Sequence, residues 1–441
     1  MGRRPTLGRV TRATDSTALL TDHYELTMLQ AALEGGTADR RSVFELFPRR
    51  LPSGRRYGVV AGVGRALDAI ERFVFDDEAI AVLREGKVVD QTTLEWLAGY
   101  RFSGHIWGYP EGEVYFPYSP LMVVESTFAE AVLLETVLLS ILNHDSAIAS
   151  AASRMTCAAG DRPCIEMGSR RTHEEAAVAA ARAAYVAGFE ATSNLAARQR
   201  HGIPTPGTSA HSFTLLPDTE RDAFTAQVES LGQGTTLLVD TYDVAEAVRL
   251  AVEVAGPELG AVRLDSGDLG LLAIDVRHQL DSLGAKDTKI IVTSDLDEFA
   301  IAGLSSAPVN GYGVGTSLVT GSGHPTCGFV YKLVSRAADD GTMVDVAKVS
   351  KDKASIGGRK YALRRRDKFG VAEAEVVGVG EKPVDDGDDR ELLMPLVRDG
   401  EVVGREDLEA ARARHRAARA ELPVQAHQMS RGEAVIPTLH Q

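Results

Sequence analysis

The chain has 441 residues, of which 44% are hydrophobic and 25% charged, and it carries a formal net charge of −14. This length and composition suit a globular protein with a large core in each of two domains. The acidic balance argues against nucleic acid or an anionic membrane surface as partner, because both repel such a chain at long range; a small anionic substrate stays compatible, since a few clustered arginines act within one Debye length.

The start, MGRRPTLGRVTR, is basic with no apolar stretch behind it, so no secretory signal is read and a cytoplasmic protein is expected. Residues 21–36 place Tyr24, Met28, Leu29, Ala32 and Leu33 on one helical face, ended by Gly35-Gly36. SVFELFPRR (42–50) reads as a strand, and 100–126 alternates aromatic and β-branched residues with Gly and Pro as hairpins do. Residues 1–126 are therefore expected to supply the N-terminal part of an α+β sheet domain. No apolar run reaches the roughly 18 residues a membrane helix needs; the best candidate, 129–142, is interrupted by Glu130 and Glu135.

From 127 to 335 short apolar runs alternate with helical patterns. The runs are PCIEM (163–167), TTLLVD (235–240), AVRLD (261–265), KIIVTSD (289–295) and YGVG (312–315). The helices between them span 172–188, opened by a Thr172-x-x-Glu175 capping box and closed at Gly188, then 243–256 and 269–284. Repeated strand–helix units imply parallel strands, and uniformly apolar strands imply burial on both faces, so an irregular β/α barrel is expected. Within 336–400, MVDVAKVS, RKYALRRRD and AEAEVVGVG read as strands that rejoin the N-terminal part. The last segment, 401–441, holds a charged helix (405–423) expected on the solvated surface, and a tail. The three cysteines, Cys157, Cys164 and Cys327, lack metal-site or disulfide spacing and read as buried thiols.

In a parallel barrel the active site lies at the carboxyl ends of the strands. Just past the apolar runs stand Arg170 and Arg171, His211, Asp240, Asp265 with Ser266 and Asp268, Ser294 with Asp295, and Gly313, Gly315 and Thr316. Each has a bland alternative. A lone histidine more often satisfies a hydrogen bond than performs chemistry, although His211 sits uncrowded in PGTSAHSF (206–213). RLDSGD (263–268) reads equally as a strand end with a helix N-cap or as paired carboxylates for a ribose diol or magnesium. The arginines suit surface ion pairs with Glu174 or an anion site. GYGVGTS (311–317) is no Walker loop, yet its exposed N–H groups can cradle a phosphate. Tyr24 is most simply a core residue of the first helix.

Taken in order, LLTDHYELTM (19–28), FELFPRRLP (44–52), LLSILNHDSAIASAASR (138–154), EMGSRR (166–171), GTSAHSF (207–213), VRLDSGD (262–268) and GYGVGTSLVT (311–320) resemble the nicotinate phosphoribosyltransferase family. The resemblance covers about 19 to 335. It implies a type II phosphoribosyltransferase-like irregular β/α barrel joined to a sheet domain built from both chain ends. It implies coupling of nicotinate to phosphoribosyl pyrophosphate, giving nicotinate mononucleotide and pyrophosphate in NAD salvage by the Preiss-Handler pathway, with ATP as co-substrate and Mg2+ on the pyrophosphate. By the same resemblance His211 is phosphorylated by ATP, and Asp265 serves the ribose hydroxyls or magnesium, with Asp268 beside it. Arg170 meets phosphates, Arg263 and Thr208 bind the pyridine ring and its carboxylate, and Gly313, Gly315 and Thr316 hold the 5-phosphate. Tyr24 matches a tyrosine that stacks on the ring from a neighbouring subunit, which implies a homodimer with shared active sites.

Related nicotinamide enzymes carry aspartate at the position of Ser193, where a carboxylate would repel nicotinate. Met167 departs from the aromatic residue common in relatives. The alternatives are another pyridine phosphoribosyltransferase, for nicotinamide or quinolinate, and a non-catalytic nucleotide-binding barrel.

Overall fold

The computed structural model describes residues 16–348 and 355–441. The basic start, 1–12, and the last two residues of MVDVAKVS lie outside the described residues.

Six parallel strands form the barrel wall: Cys164–Glu166, Ala191–Thr192, Thr236–Leu238, Ala261–Leu264, Lys289–Val292 and Gly311–Val314, here the first to sixth barrel strands. Their spatial order is second, first, sixth, fifth, fourth, third, so the ladder stays open between the second and third. The chain crossing this gap, 203–210, contains Pro204 and Pro206, which have no N–H to donate. Its one backbone bond to the wall is Thr192 N–H to the Pro204 carbonyl, 3.0 Å. Five of the six strands match the expected runs. The two-residue second strand was not expected, being too short to show a periodicity.

The helices between strands bury one face each. Val244–Ala255 packs Ala247, Val248 and Ala251 inward, and its N-cap Asp243 accepts from Glu246 N–H at 2.8 Å. For Glu174–Val186 the expected capping box does not form: the N-cap is His173, whose Nδ1 accepts from Glu175 N–H at 3.3 Å. Glu175 turns outward to Arg200 instead.

A seven-stranded antiparallel sheet draws on both chain ends. Arg41–Pro48 lies inside it between Phe329–Ala337 and the central Met122–Thr127, and Met394–Arg398 pairs with His105–Gly108. The strands Lys360–Arg366 and Ala372–Val379 do not join it. They form a separate four-stranded sheet whose edge is the C-terminal Thr438–His440, so the end of the chain is a strand, not a tail. Lys360 Nζ reaches Glu45 Oε2 across the sheets at 3.1 Å.

The helix Glu135–Ala159 joins the two domains: its first half packs Leu138 and Leu142 into the sheet-domain core, and its second half packs Ala151 and Met155 into the barrel core. The span Phe128–Ala159 is long and apolar enough to cross a bilayer, but 67% of its most apolar window is buried in the protein, as in a core helix.

Three expectations change. The first helix, His23–Glu34, buries Leu26, Leu29 and Ala32, while Tyr24 and Met28 are exposed. The C-terminal helix Leu408–Ala420 is not a solvated surface helix: Ala411, His415 and Ala418 are buried, and Arg412 donates to the Tyr185 and Gly188 carbonyls at the end of Glu174–Val186. Arginine stems cover apolar surface there while the guanidinium satisfies carbonyls that lack helical partners. Cys164 and Cys327 are buried as expected, but Cys157 is only partly so.

Buried charges fasten the four-stranded sheet. Glu113, wholly buried, pairs with Arg390 at 2.7 Å and lies 3.8 Å from the buried Arg364, which also meets Glu375 at 2.9 Å. Burial alone would raise the Glu113 carboxyl, but the Arg364 and Arg390 guanidiniums hold it below its ordinary value. Because the folded value is depressed, this contribution is present above the ordinary glutamate range and lost as pH falls through the folded value. Glu113→Gln should destabilise the fold by about 3 kcal/mol at neutral pH, since it leaves buried guanidiniums unpaired. Urea unfolding of both proteins measures this, and equal midpoints would show that the ion network is neutral.

Candidate active site

Along the barrel strands side chains alternate between core and interior. Val262, Leu264, Ile290, Val292 and Val314 pack outward into the helix layer, whereas Ile165, Met167, Arg263 and Ile291 line an interior cavity of about 990 Å³. Arg170, Ser193 and Thr208 line it at the carboxyl end, and it runs on to Gly234, Glu258 and Lys289 at the opposite mouth. A second hollow, about 630 Å³, lies between the two sheets around Trp107 and Arg359, far from the barrel rim. The barrel cavity is the one that meets the converging polar groups.

Asp240, past the third strand, organises the rim. Its Oδ2 accepts from Asp265 N–H at 2.9 Å and from the Ser266 hydroxyl at 2.7 Å, which fixes the turn after the fourth strand. Its Oδ1 is buried without a hydrogen-bond partner among the described residues. His211 opens the short helix His211–Thr214 at the end of the bridging segment. Its Nδ1 meets the Thr241 hydroxyl at 3.1 Å, and its Nε2 lies 3.9 Å from Asp240 Oδ1 and 4.0 Å from Asp265 Oδ2. The other oxygen of Asp265 accepts from the Thr293 hydroxyl. Two carboxylate oxygens, one with no partner, thus flank the imidazole, and hard oxygen donors of this kind suit magnesium, for which Asp265 would be a ligand.

Across the gap, Arg263 Nη1 donates to Thr208 Oγ1 at 2.6 Å, tying the fourth strand to the bridging segment. Burial lowers the Arg263 pKa, Asp265 and Asp240 oppose this, and Arg170 adds to the lowering, so the two guanidiniums share a neighbourhood. Arg263 Nε is buried without a partner among the described residues. Ser193 follows the second strand and donates its N–H to the Glu166 carbonyl at 2.8 Å. A half-buried cationic fork, two hydroxyl side chains and the Met167 side chain make a cavity end suited to a small aromatic carboxylate.

The other expected residues fall as follows. Gly313 lies within the sixth strand, where a Cβ would come 2.5 Å from Thr293 Cγ2 and 2.7 Å from Met167 Sδ; only glycine keeps that wall closed. Gly315 and Thr316 stand beyond the strand, at the start of the short helix Thr316–Val319. Asp268 caps the helix Leu269–Ser282 by accepting from Leu271 N–H at 3.2 Å. Arg171 is exposed outside the cavity lining. Tyr24 stands elsewhere, beside Glu135 and Glu25; burial, then these carboxylates, push its phenol up to about 12. Thr241, Thr293 and Glu166 contribute to the site without any sequence signal, since a lone hydroxyl or a strand-end acid has no distinctive spacing. Ser294, past the fifth strand, holds a φ of 123°, a strained backbone of the kind found at functional rims.

A family model for the nicotinate phosphoribosyltransferase (NAPRTase) N-terminal domain matches residues 19–143. A nicotinate phosphoribosyltransferase of Mycobacterium tuberculosis (strain CDC 1551 / Oshkosh) is 56% identical over 433 residues, covering 96% of this chain and 95% of its own. The chain belongs to the nicotinate phosphoribosyltransferase family. A family member of Bacillus subtilis (strain 168) is 38% identical over 362 residues, covering 79% of this chain and 73% of its own. Among solved structures, human nicotinic acid phosphoribosyltransferase superposes with a TM-score of 0.81 at 25% identity, over 96% of this chain and 97% of that one. A nicotinate-nucleotide pyrophosphorylase from Pyrococcus furiosus shares the fold, with a TM-score of 0.75 at 24% identity over 96% and 99% of the two chains. The family's barrel and sheet architecture is therefore the one this sequence adopts.

Gly313→Ala tests the tight wall between the fifth and sixth strands. Overpacking there should cost about 1–3 kcal/mol and push Met167 into the cavity. Thermal melting with the parent alongside gives the number; an unchanged midpoint would mean the wall has slack.

Proposed function

We propose that the chain transfers the phosphoribosyl group of phosphoribosyl pyrophosphate to nicotinate, forming nicotinate mononucleotide and pyrophosphate for NAD salvage. The observation that carries this is the gathering of polar groups at the carboxyl ends of the strands: guanidiniums and hydroxyls line the cavity, and outside its lining an imidazole stands beside two carboxylates, where the sugar-phosphate would lie. Family membership agrees with it.

Arg263 and Thr208 bind the nicotinate carboxylate, and Arg170 meets phosphate oxygens at the rim. Ser193 leaves the ring pocket without the negative charge that would repel this substrate. Holding the ring nitrogen against C1 of the ribose replaces a bimolecular encounter by a positioned one. As the C1–pyrophosphate bond breaks and the C1–N bond forms, Asp265 steadies the ribose hydroxyls of the oxocarbenium-like state. Asp265 would also hold magnesium, which would supply positive charge to the departing pyrophosphate. Gly315 and Thr316 hold the 5-phosphate through exposed N–H groups.

His211 takes the γ-phosphoryl group of ATP, with ADP leaving, and water later cleaves the phosphohistidine to release phosphate. Its partly exposed ring and the small residues Gly207, Ser209 and Ala210 before it leave room for that group. A homodimer completes the site. In support, Leu195 and Leu271 in first helical turns and Leu216 and Tyr242 on rim loops are 62–78% exposed, as are Tyr24 and Met28 in part on the other domain. Apolar side chains recurring around one mouth suit coverage by a second copy.

Mononucleotide formation from nicotinate and phosphoribosyl pyrophosphate, assayed with and without ATP, should occur in the parent and be stimulated by ATP. His211→Ala should keep a basal rate and lose the stimulation; equal stimulation in both removes His211 from this role. Ser193→Asp should raise KM for nicotinate at least about tenfold, the effect of roughly 1.4 kcal/mol of repulsion. Unchanged KM would place the substrate carboxylate away from Ser193.

A further inference from the structure

Glu166 closes the first barrel strand and is wholly buried, yet no cation faces it among the described residues. The residues that close the sixth, fifth and fourth strands, Val314, Val292 and Leu264, are apolar and packed into the core. A carboxyl in this layer is costly unless its hydrogen bonds are made. Burial pushes it above the ordinary glutamate range, and the bonds from Thr192 and Gly168 pull the other way.

Both oxygens are used. One accepts from Gly168 N–H and the other from the Thr192 hydroxyl, while the backbone carbonyl takes Ser193 N–H. Thr192 Oγ1 accepts in turn from Asn194 N–H at 3.0 Å, and Asn194 Nδ2 donates to Ser169 Oγ at 3.0 Å. These bonds stitch the loop that carries Arg170 to the loop that carries Ser193. The contact extends to the short helix Thr316–Val319, because a Cβ on Gly168 would lie 2.2 Å from Val319 Cγ1 and 3.0 Å from Glu166 Oε1.

We infer that Glu166 is a positioning residue for the ring-binding end of the cavity: by holding Gly168 and Thr192 together it sets the separation of Arg170 and Ser193. Because Ser193 borders the ring and Arg170 meets phosphate oxygens, it acts on the affinity for both substrates, not on bond breaking at the sugar. This rests on the nicotinate reading above.

The test compares the parent, Glu166→Gln, Thr192→Val and the double variant by steady-state kinetics, varying nicotinate and phosphoribosyl pyrophosphate separately, with melting temperatures. Glutamine keeps the shape but only one acceptor oxygen, and valine removes only the hydroxyl. Each single variant should raise KM for nicotinate about tenfold, the scale of a sub-ångström displacement of binding groups, with a smaller rise in KM for phosphoribosyl pyrophosphate through Arg170 and kcat within about twofold. The double variant should be no worse than the weaker single variant, because both changes cut one stitch. Unmoved nicotinate KM in folded variants, additive effects, or a parallel loss in kcat and both KM values would overturn the assignment. Should Glu166→Gln not fold, Thr192→Val carries the same test. An inactive parent would overturn the functional reading and this inference together, whereas an active parent with unmoved variants overturns this inference alone.

Discussion

Where the second and third barrel strands would pair, the chain runs through 203–210 with prolines at 204 and 206, and the two missing N–H groups keep the ladder open. A closed eight-stranded barrel fills its interior with layers of side chains. Six strands and an irregular bridge leave an interior of about 990 Å³ instead. The same break lets a charged residue sit inside the wall: Arg263 points inward from the fourth strand and finds its partner, Thr208, on the bridging segment itself. His211 then follows within three residues, so one irregular stretch supplies both the ring-end hydroxyl and the imidazole.

Charge is sorted around the barrel rim despite the overall −14. The two guanidiniums line the cavity with Ser193 and Met167, whereas Asp240 and Asp265 stand with His211 outside its lining. Asp240 keeps the second group in place with one oxygen while its other oxygen stays free for a ligand. Buried ion networks elsewhere, such as Glu113 between Arg364 and Arg390, leave no such free oxygen and read as structural. That contrast separates site from scaffold better than burial alone does.

Much of this was legible in the sequence where a pattern repeats over enough residues. Four-residue apolar runs such as AVRL and KIIV gave the strands, and their polar successors gave the rim. The two-residue second strand and the Glu166 stitch were not legible, because each depends on a neighbour distant in the chain, and the capping box was misread because Glu175 turns to the distant Arg200 and leaves the cap to His173. The C-terminal helix misled for a related reason: its arginines resemble a solvated face until the Tyr185 and Gly188 carbonyls that they satisfy are in place. Asp268 keeps the local role its spacing already allowed, as a helix cap.

The helix Glu135–Ala159 belongs to two cores at once, so it couples Tyr24, beside its first turn, to the barrel it helps to cover. Within one chain Tyr24 is absent from the cavity lining, and its exposed ring has no catalytic group to serve there. Rigid attachment through a shared helix is what a residue needs if it is to enter the mouth of a second copy at a fixed depth. Loop attachment would permit contact but not the register that stacking on a small ring requires. In the proposed homodimer the register of Tyr24 therefore depends on this one helix, whose alanine-rich second half, Ala147 to Ala152, lets it lie close against the barrel.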